Sequence, residues 1–222
     1  MERKGIERFA PLAGVLFLLM VIVAIVVTGE EPPGTDESAA EIAEFYKDND
    51  SKMMISAALE AWAAVVLVWF GGSVRERIAS VAPGGGRLAA IAFAGSIIAA
   101  VGLATDGALQ FAAADAADDI APEGIQTINA IWSSFFFPMI VGVALLTLAS
   151  GLAAIRHGAF NKVLGWIAIV IGVISLTPVG FVGAIAAVLW IGAMGIVLFR
   201  SQDADGPGAP PPAAPEAPVA PA

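Results

Sequence analysis

The chain reads as an all-α protein: a six-helix transmembrane bundle with a short extracytoplasmic cap helix and a disordered cytoplasmic tail. Three observations carry that reading. First, 58% of the 222 residues are hydrophobic and 14% are charged, where a soluble domain carries about 25% charged residues. Second, the apolar residues fall in blocks that reach the roughly 20 residues needed to cross a bilayer. Third, Lys and Arg are concentrated in alternate connections between those blocks. The lipid bilayer is therefore the first partner the composition implies.

A helix satisfies its own backbone hydrogen bonds in hydrocarbon, so each block is read as a spanning helix. The six are Phe9 to Gly29, Met53 to Gly72, Leu88 to Gly107, Ile128 to Leu148, Val163 to Thr177 and Val179 to Phe199. The apolar run from Leu12 to Val27 exceeds the roughly 7–15 residues of a signal-peptide core, so the first segment is expected to be a retained anchor. The outer loop 30–51 holds Ser38 and Glu41 at capping-box spacing, which predicts a short helix with Ala39, Ile42, Phe45 and Tyr46 on one face. That helix either lies on the outer mouth or lipid surface or simply covers the bundle. Asp48, Asn49 and Asp50 begin like a calcium loop, but Met53 stands where such a loop needs Gly. Gly84 to Gly86 after Pro83 lack the Lys-Ser/Thr ending of a phosphate loop and read as a flexible turn. Pro178 and Gly180 predict a tight reversal between the last two spans, Gly180 for its tolerance of turn geometry. Residues 1–200 form the membrane domain; residues 201–222, where Pro alternates with Ala, cannot bury a core and are expected to be disordered.

With the N-terminus in the cytoplasm, nine Lys and Arg lie inside and only Lys47 and Lys52 outside, so both termini are expected to be cytoplasmic in a multi-pass plasma-membrane protein. Twelve carboxylates then face those two lysines on the outside, a field that repels polyanions and excludes nucleic acid as a partner. With no Cys and His157 as the sole histidine, the chain offers no thiol chemistry, bis-histidine haem, HExxH zinc site or Ser-His dyad. No cofactor, no metal and no enzyme activity are expected.

Ionisable groups at membrane depth are costly and point to protein, water or a ligand. Glu60 lies roughly 10 Å below the outer boundary of the second span at 1.5 Å per residue, and Asp106 lies near the outer end of the third. Lys52, Ser56 and Glu60 recur every four residues, as do Gly102, Asp106 and Gln110, while Gln126, Asn129 and Ser133 follow at three and four. Packed together, these stripes predict an outward-facing polar pocket of Glu60, Asp106, Asn129, Gln126, Ser133, Gln110 and Ser56. Glu60 either is a protonated hydrogen-bond donor to Asn129 or Ser133, or binds a proton or cation in exchange. Pro138 predicts a kink in the fourth span, with Ser133 and Ser134 meeting the freed backbone and Phe135, Phe136 and Phe137 forming an apolar floor beneath the pocket. Ala168 with Gly172, Gly183 with Ala187 and Thr147 with Gly151 place small residues where helices approach closely. The five Trp read as interface anchors.

Ala10-Pro11-Leu12-Ala13-Gly14 opens the first span, Phe45-Tyr46-Lys47-Asp48-Asn49 precedes the second, Ala114-Asp115-Ala116-Ala117-Asp118-Asp119 follows the third, and Leu164-Gly165-Trp166 opens and Leu176-Thr177-Pro178 closes the fifth. On these strings, from about Phe9 to Arg200, the chain resembles a group of uncharacterised six-span membrane proteins common in actinobacteria. The resemblance implies a bacterial plasma membrane and carries no functional residue. The function expected is binding or transport of a small polar solute or cation through the outer pocket. The alternative is a non-catalytic interaction, assembly or sensor subunit, held through its small-residue faces to a second copy or to a partner membrane protein.

Overall fold

The computed structural model describes residues 7–81 and 86–204, and among these there is no strand. After a 3-10 turn at Glu7–Leu12, the helices are α1 (Ala13–Thr28), α2 (Ala39–Asp48), α3 (Asp50–Val81), α4 (Gly86–Ala116), α5 (Pro122–Ser134), α6 (Phe137–His157), α7 (Lys162–Ser175) and α8 (Gly180–Ala204). Five stretches are long and apolar enough to cross a membrane: Glu7–Thr28, Asp50–Val81, Gly86–Ala116, Pro122–His157 and Gly180–Ser201. The apolar helix Lys162–Ser175 has 14 residues and falls short of that length. α8 runs on to Ala204, so the segment 201–222 begins as helix; its remainder and the turn before Gly86 lie outside the described residues.

Consecutive packing closes the bundle into a ring: α1 against α3, α3 against α4, α4 against α6, α6 against α7, α7 against α8, and α8 back against α1. Phe70, Val74, Leu146, Ala187 and Met194 are buried at its centre. Large apolar side chains such as Ile25, Trp62, Trp69, Trp166 and Leu189 point outward, as required of helices solvated by lipid tails.

Without a hydrophobic drive between helices in lipid, close approach depends on small residues. One close contact joins Gly95 of α4 to Gly142 of α6, where a methyl on Gly142 would collide with the Ala99 backbone N and lie 2.6 Å from the Gly95 carbonyl oxygen. The predicted small residues also sit at contacts: a methyl on Gly151 would meet the Gly165 carbonyl at 2.6 Å, and one on Gly172 would meet Thr147 Oγ1 at 2.8 Å. The reversal forms, closed by the Gly180 N–H donating to the Thr177 carbonyl at 2.9 Å; Gly180 has no positive φ, and a methyl there would collide with the Ser175 carbonyl, so what the turn needs is the missing side chain.

The predicted kink at Pro138 is instead a break. α5 ends at Ser134, Phe135 donates to the Trp132 carbonyl at 2.9 Å, and α6 starts at Phe137 with Pro138 in its first turn. That position suits Pro, because first-turn N–H groups have no intrahelical acceptor. Ser133 and Ser134 both donate to the Ala130 carbonyl, at 3.0 and 3.3 Å. Phe136 and Phe137 stack on each other at 4.7 Å and face outward, so they do not floor a pocket.

α2 and α5 pack together and against the ends of α3 and α4, burying Ile42, Tyr46, Met53, Ala113 and Ile125 in a second cluster. The capping box is formed: Ser38 Oγ accepts from the Glu41 N–H at 3.3 Å, and the Ser38 N–H donates to Glu41 Oε2 at 3.1 Å. The predicted face is buried through Ile42 and Tyr46. Lys47 reaches Asp118 beyond α4 at 3.1 Å, an exposed pair worth under about 1 kcal/mol.

Candidate functional site

The two carboxylates within the spans meet across one amide. Ser56, Glu60 and Ala63 share a face of α3, and Leu103, Asp106 and Gln110 share a face of α4, so packing α3 on α4 brings the two faces together. Gln110 Nε2 lies 3.5 Å from Glu60 Oε1 and 3.5 Å from Asp106 Oδ2, at the outer limit of hydrogen bonding. Gly107 permits the approach: a methyl there would lie 3.0 Å from the Ala57 carbonyl and 3.2 Å from Glu60 Oε2.

Glu60 and Gln110, but not Asp106, border a cavity of about 380 Å³ enclosed by α1, α3, α4 and α5. Glu60, Gln110 and Trp132 form its polar belt, Met20, Val21, Ala63 and Leu103 its apolar side, and Gly29, Glu31 and Pro32 its mouth. Thr28 Oγ1 donates to Ser56 Oγ at 2.8 Å, so the Ser56 hydroxyl is engaged by α1. The Trp132 indole N–H faces the Asp106 carboxyl, which also lies within hydrogen-bonding reach of Glu60, and two buried acceptors of the belt, Glu60 Oε2 and Gln110 Oε1, receive no hydrogen bond among the described residues. An unpaired buried acceptor or donor costs about 1–3 kcal/mol, so each is an offer to a guest.

The α5 stripe has a different role from the one expected. Asn129 is fully buried, accepts from Tyr46 Oη at 3.0 Å and donates to the Pro33 carbonyl at 3.0 Å; Gln126 donates to the Glu37 carbonyl at 3.1 Å. Both residues tie the segment between α1 and α2 to α5, and Asn129 makes no bond to Glu60. Ser133 is exposed and turned onto its own helix, so it too makes no bond to Glu60. The reason is rotational. α5 points Ile125, Asn129 and Trp132 inward at spacings of four and three, which leaves Ser133 on the opposite shoulder. Lys52 also leaves its stripe, donating to Asn49 Oδ1 at 3.0 Å.

Burial, with the nearby Asp106 carboxylate adding to it, holds the Tyr46 phenol well above its usual range, so it is a neutral donor to Asn129. Sequence reasoning missed Thr28, Glu31 and Trp132. Trp132 stands three residues after Asn129, a spacing that could have found it. Trp190 is also internal, its indole donating to the Leu164 carbonyl at 3.2 Å, whereas Trp62, Trp69 and Trp166 face outward. Among the described residues no three His, Cys, Asp or Glu gather to hold a metal ion. No protein-family model, curated protein or solved structure matches the chain.

Proposed function

We propose that the chain is a six-span membrane protein that binds a small polar solute or cation in the cavity beside Glu60. In this reading α7 completes the set of spans, because it packs between α6 and α8 in the ring and is apolar throughout its middle. Both termini lie in the cytoplasm, which puts α2 outside as a cap and turns the cavity mouth at Glu31 outward. The observation that carries the reading is Gln110, only 5% exposed, lining the cavity with its carbonyl oxygen unpartnered next to an equally unpartnered Glu60 oxygen.

The sensor or assembly reading is favoured over transport by one feature. Below the cavity Ser96 and Thr147 donate to carbonyls of their own helices, and the centre is filled by Phe70, Val74 and Leu146. Among the described residues the cavity's polar lining does not extend to that side, where the unpartnered buried polar atom is the Ser150 hydroxyl.

The test uses the absence of Cys. Glu44→Cys should react with a membrane-impermeant thiol reagent on intact cells, and Ser80→Cys only after permeabilisation. Thermal unfolding of the purified protein is then followed across salts and polar solutes, where a guest at 100 times its Kd stabilises by about 2.7 kcal/mol. Reversed labelling refutes the orientation, and no shift under any condition refutes the binding cavity.

A further inference from the structure

We infer that the cavity's guest is an organic ammonium ion, a protonated amine attached to an apolar body; this rests on the binding reading above and names its ligand class. Charge comes first. Glu60 and Asp106 flank the Gln110 amide, and no Lys, Arg or His is among the described residues that line the cavity. A positive guest is the one such a site stabilises.

Hydrogen bonding narrows the choice. Glu60 Oε2 and Gln110 Oε1 are both acceptors, and Gln110 is nineteen-twentieths buried, with 5% of its surface exposed. The guest must therefore supply N–H or O–H donors, and an ammonium group brings three. The Trp132 N–H in the same wall is directed to the Asp106 carboxyl and so asks nothing of the guest.

Shape then separates an amine from an inorganic ion. Along α1 and α4 the residues on the inner side of the belt are Met20, Val21 and Leu103, joined by Ala63 of α3, and none can ligate a hard cation. Calcium takes six to eight oxygen ligands, which this apolar wall cannot provide. An alkylammonium satisfies both parts, with its nitrogen on Glu60 and Gln110 and its chain along Val21 and Leu103.

The experiment is calorimetric titration of the purified full chain with methyl-, ethyl- and n-butylammonium, and with tetramethylammonium, n-butanol, potassium and calcium. Affinity should rise about fourfold per methylene along the primary ammonium series, because each buried methylene contributes a near-constant increment. Tetramethylammonium, which lacks N–H donors, and the neutral alcohol should bind at least tenfold more weakly than n-butylammonium. Glu60→Gln should weaken n-butylammonium at least tenfold. Should that variant not fold, Val21→Phe fills the apolar end instead, and it should abolish the gain per methylene while methylammonium still binds. Glu60-dependent binding of potassium, calcium or n-butanol with no gain per methylene overturns the ammonium assignment and leaves the cavity reading standing. Binding of no probe overturns both.

Discussion

Tyr46→Phe removes one hydroxyl and nothing else, at the point where the loop helix is fastened to the bundle. Tyr46 and Asn129 are 0% and 1% exposed, so no water can replace the lost donor at Asn129 Oδ1. Leaving a buried acceptor unpaired costs about 1–3 kcal/mol, whereas the aromatic ring keeps its packing against Ile42 and Met53. Because α2 and α5 form a cluster of their own at one end of the bundle, the loss should appear as local opening. Hydrogen exchange in detergent or nanodiscs should therefore speed up about five- to 150-fold for the amides of 42–48, with the α6 amides unchanged. Combining Tyr46→Phe with Asn129→Leu should cost less than the two single changes together, since the pair then loses donor and acceptor at once. Acceleration below twofold in 42–48, or equal acceleration throughout the chain, would refute the claim that this bond latches the loop to α5.

Three further outcomes follow from the packing. Gly142→Ala forces a methyl against the α4 backbone near Ala99, so unfolding in denaturing detergent should show a loss of about 1–3 kcal/mol; an unchanged midpoint would mean the two helices can part at no cost. Pro138→Ala should alter stability by less than about 1 kcal/mol, because Pro138 occupies a first turn; a gain near 3 kcal/mol would place it in a helix interior instead. The Ser38 hydroxyl and N–H hold the Glu41 carboxyl below its ordinary 4.5, so the stabilisation is present at neutral pH and is lost as pH falls through the lowered value. Protection of the first-turn amides of α2, relative to their intrinsic exchange rates, should accordingly fall as pH drops through the lowered Glu41 titration in the wild type and show no such step in Glu41→Gln.

Length and period are properties of the chain alone, and they were legible at once. The apolar blocks, the Ser38 capping box and the inward face of Ile42 and Tyr46 could each be read because each depends on residues within a few turns of one another. The same holds for the pairing of Asp106 with Gln110, four residues apart on one helix. The rotation of one helix against its neighbours was not legible. A polar stripe is visible in sequence, but α5 turns Trp132 inward and Ser133 outward because Ile125 and Asn129 pack under the loop, and that choice depends on Tyr46 and Pro33, distant in the chain. Pro138 shows the same limit: the chain announces a defect, and only the packing of α6 on α4 through Gly95 and Gly142 decides that a new helix begins there. Glu60 could be singled out for its cost in a span. That its free oxygen borders a cavity, beside a Gln110 carbonyl left open, follows from how closely Gly107 lets α4 settle on α3, which is a property of the assembled bundle.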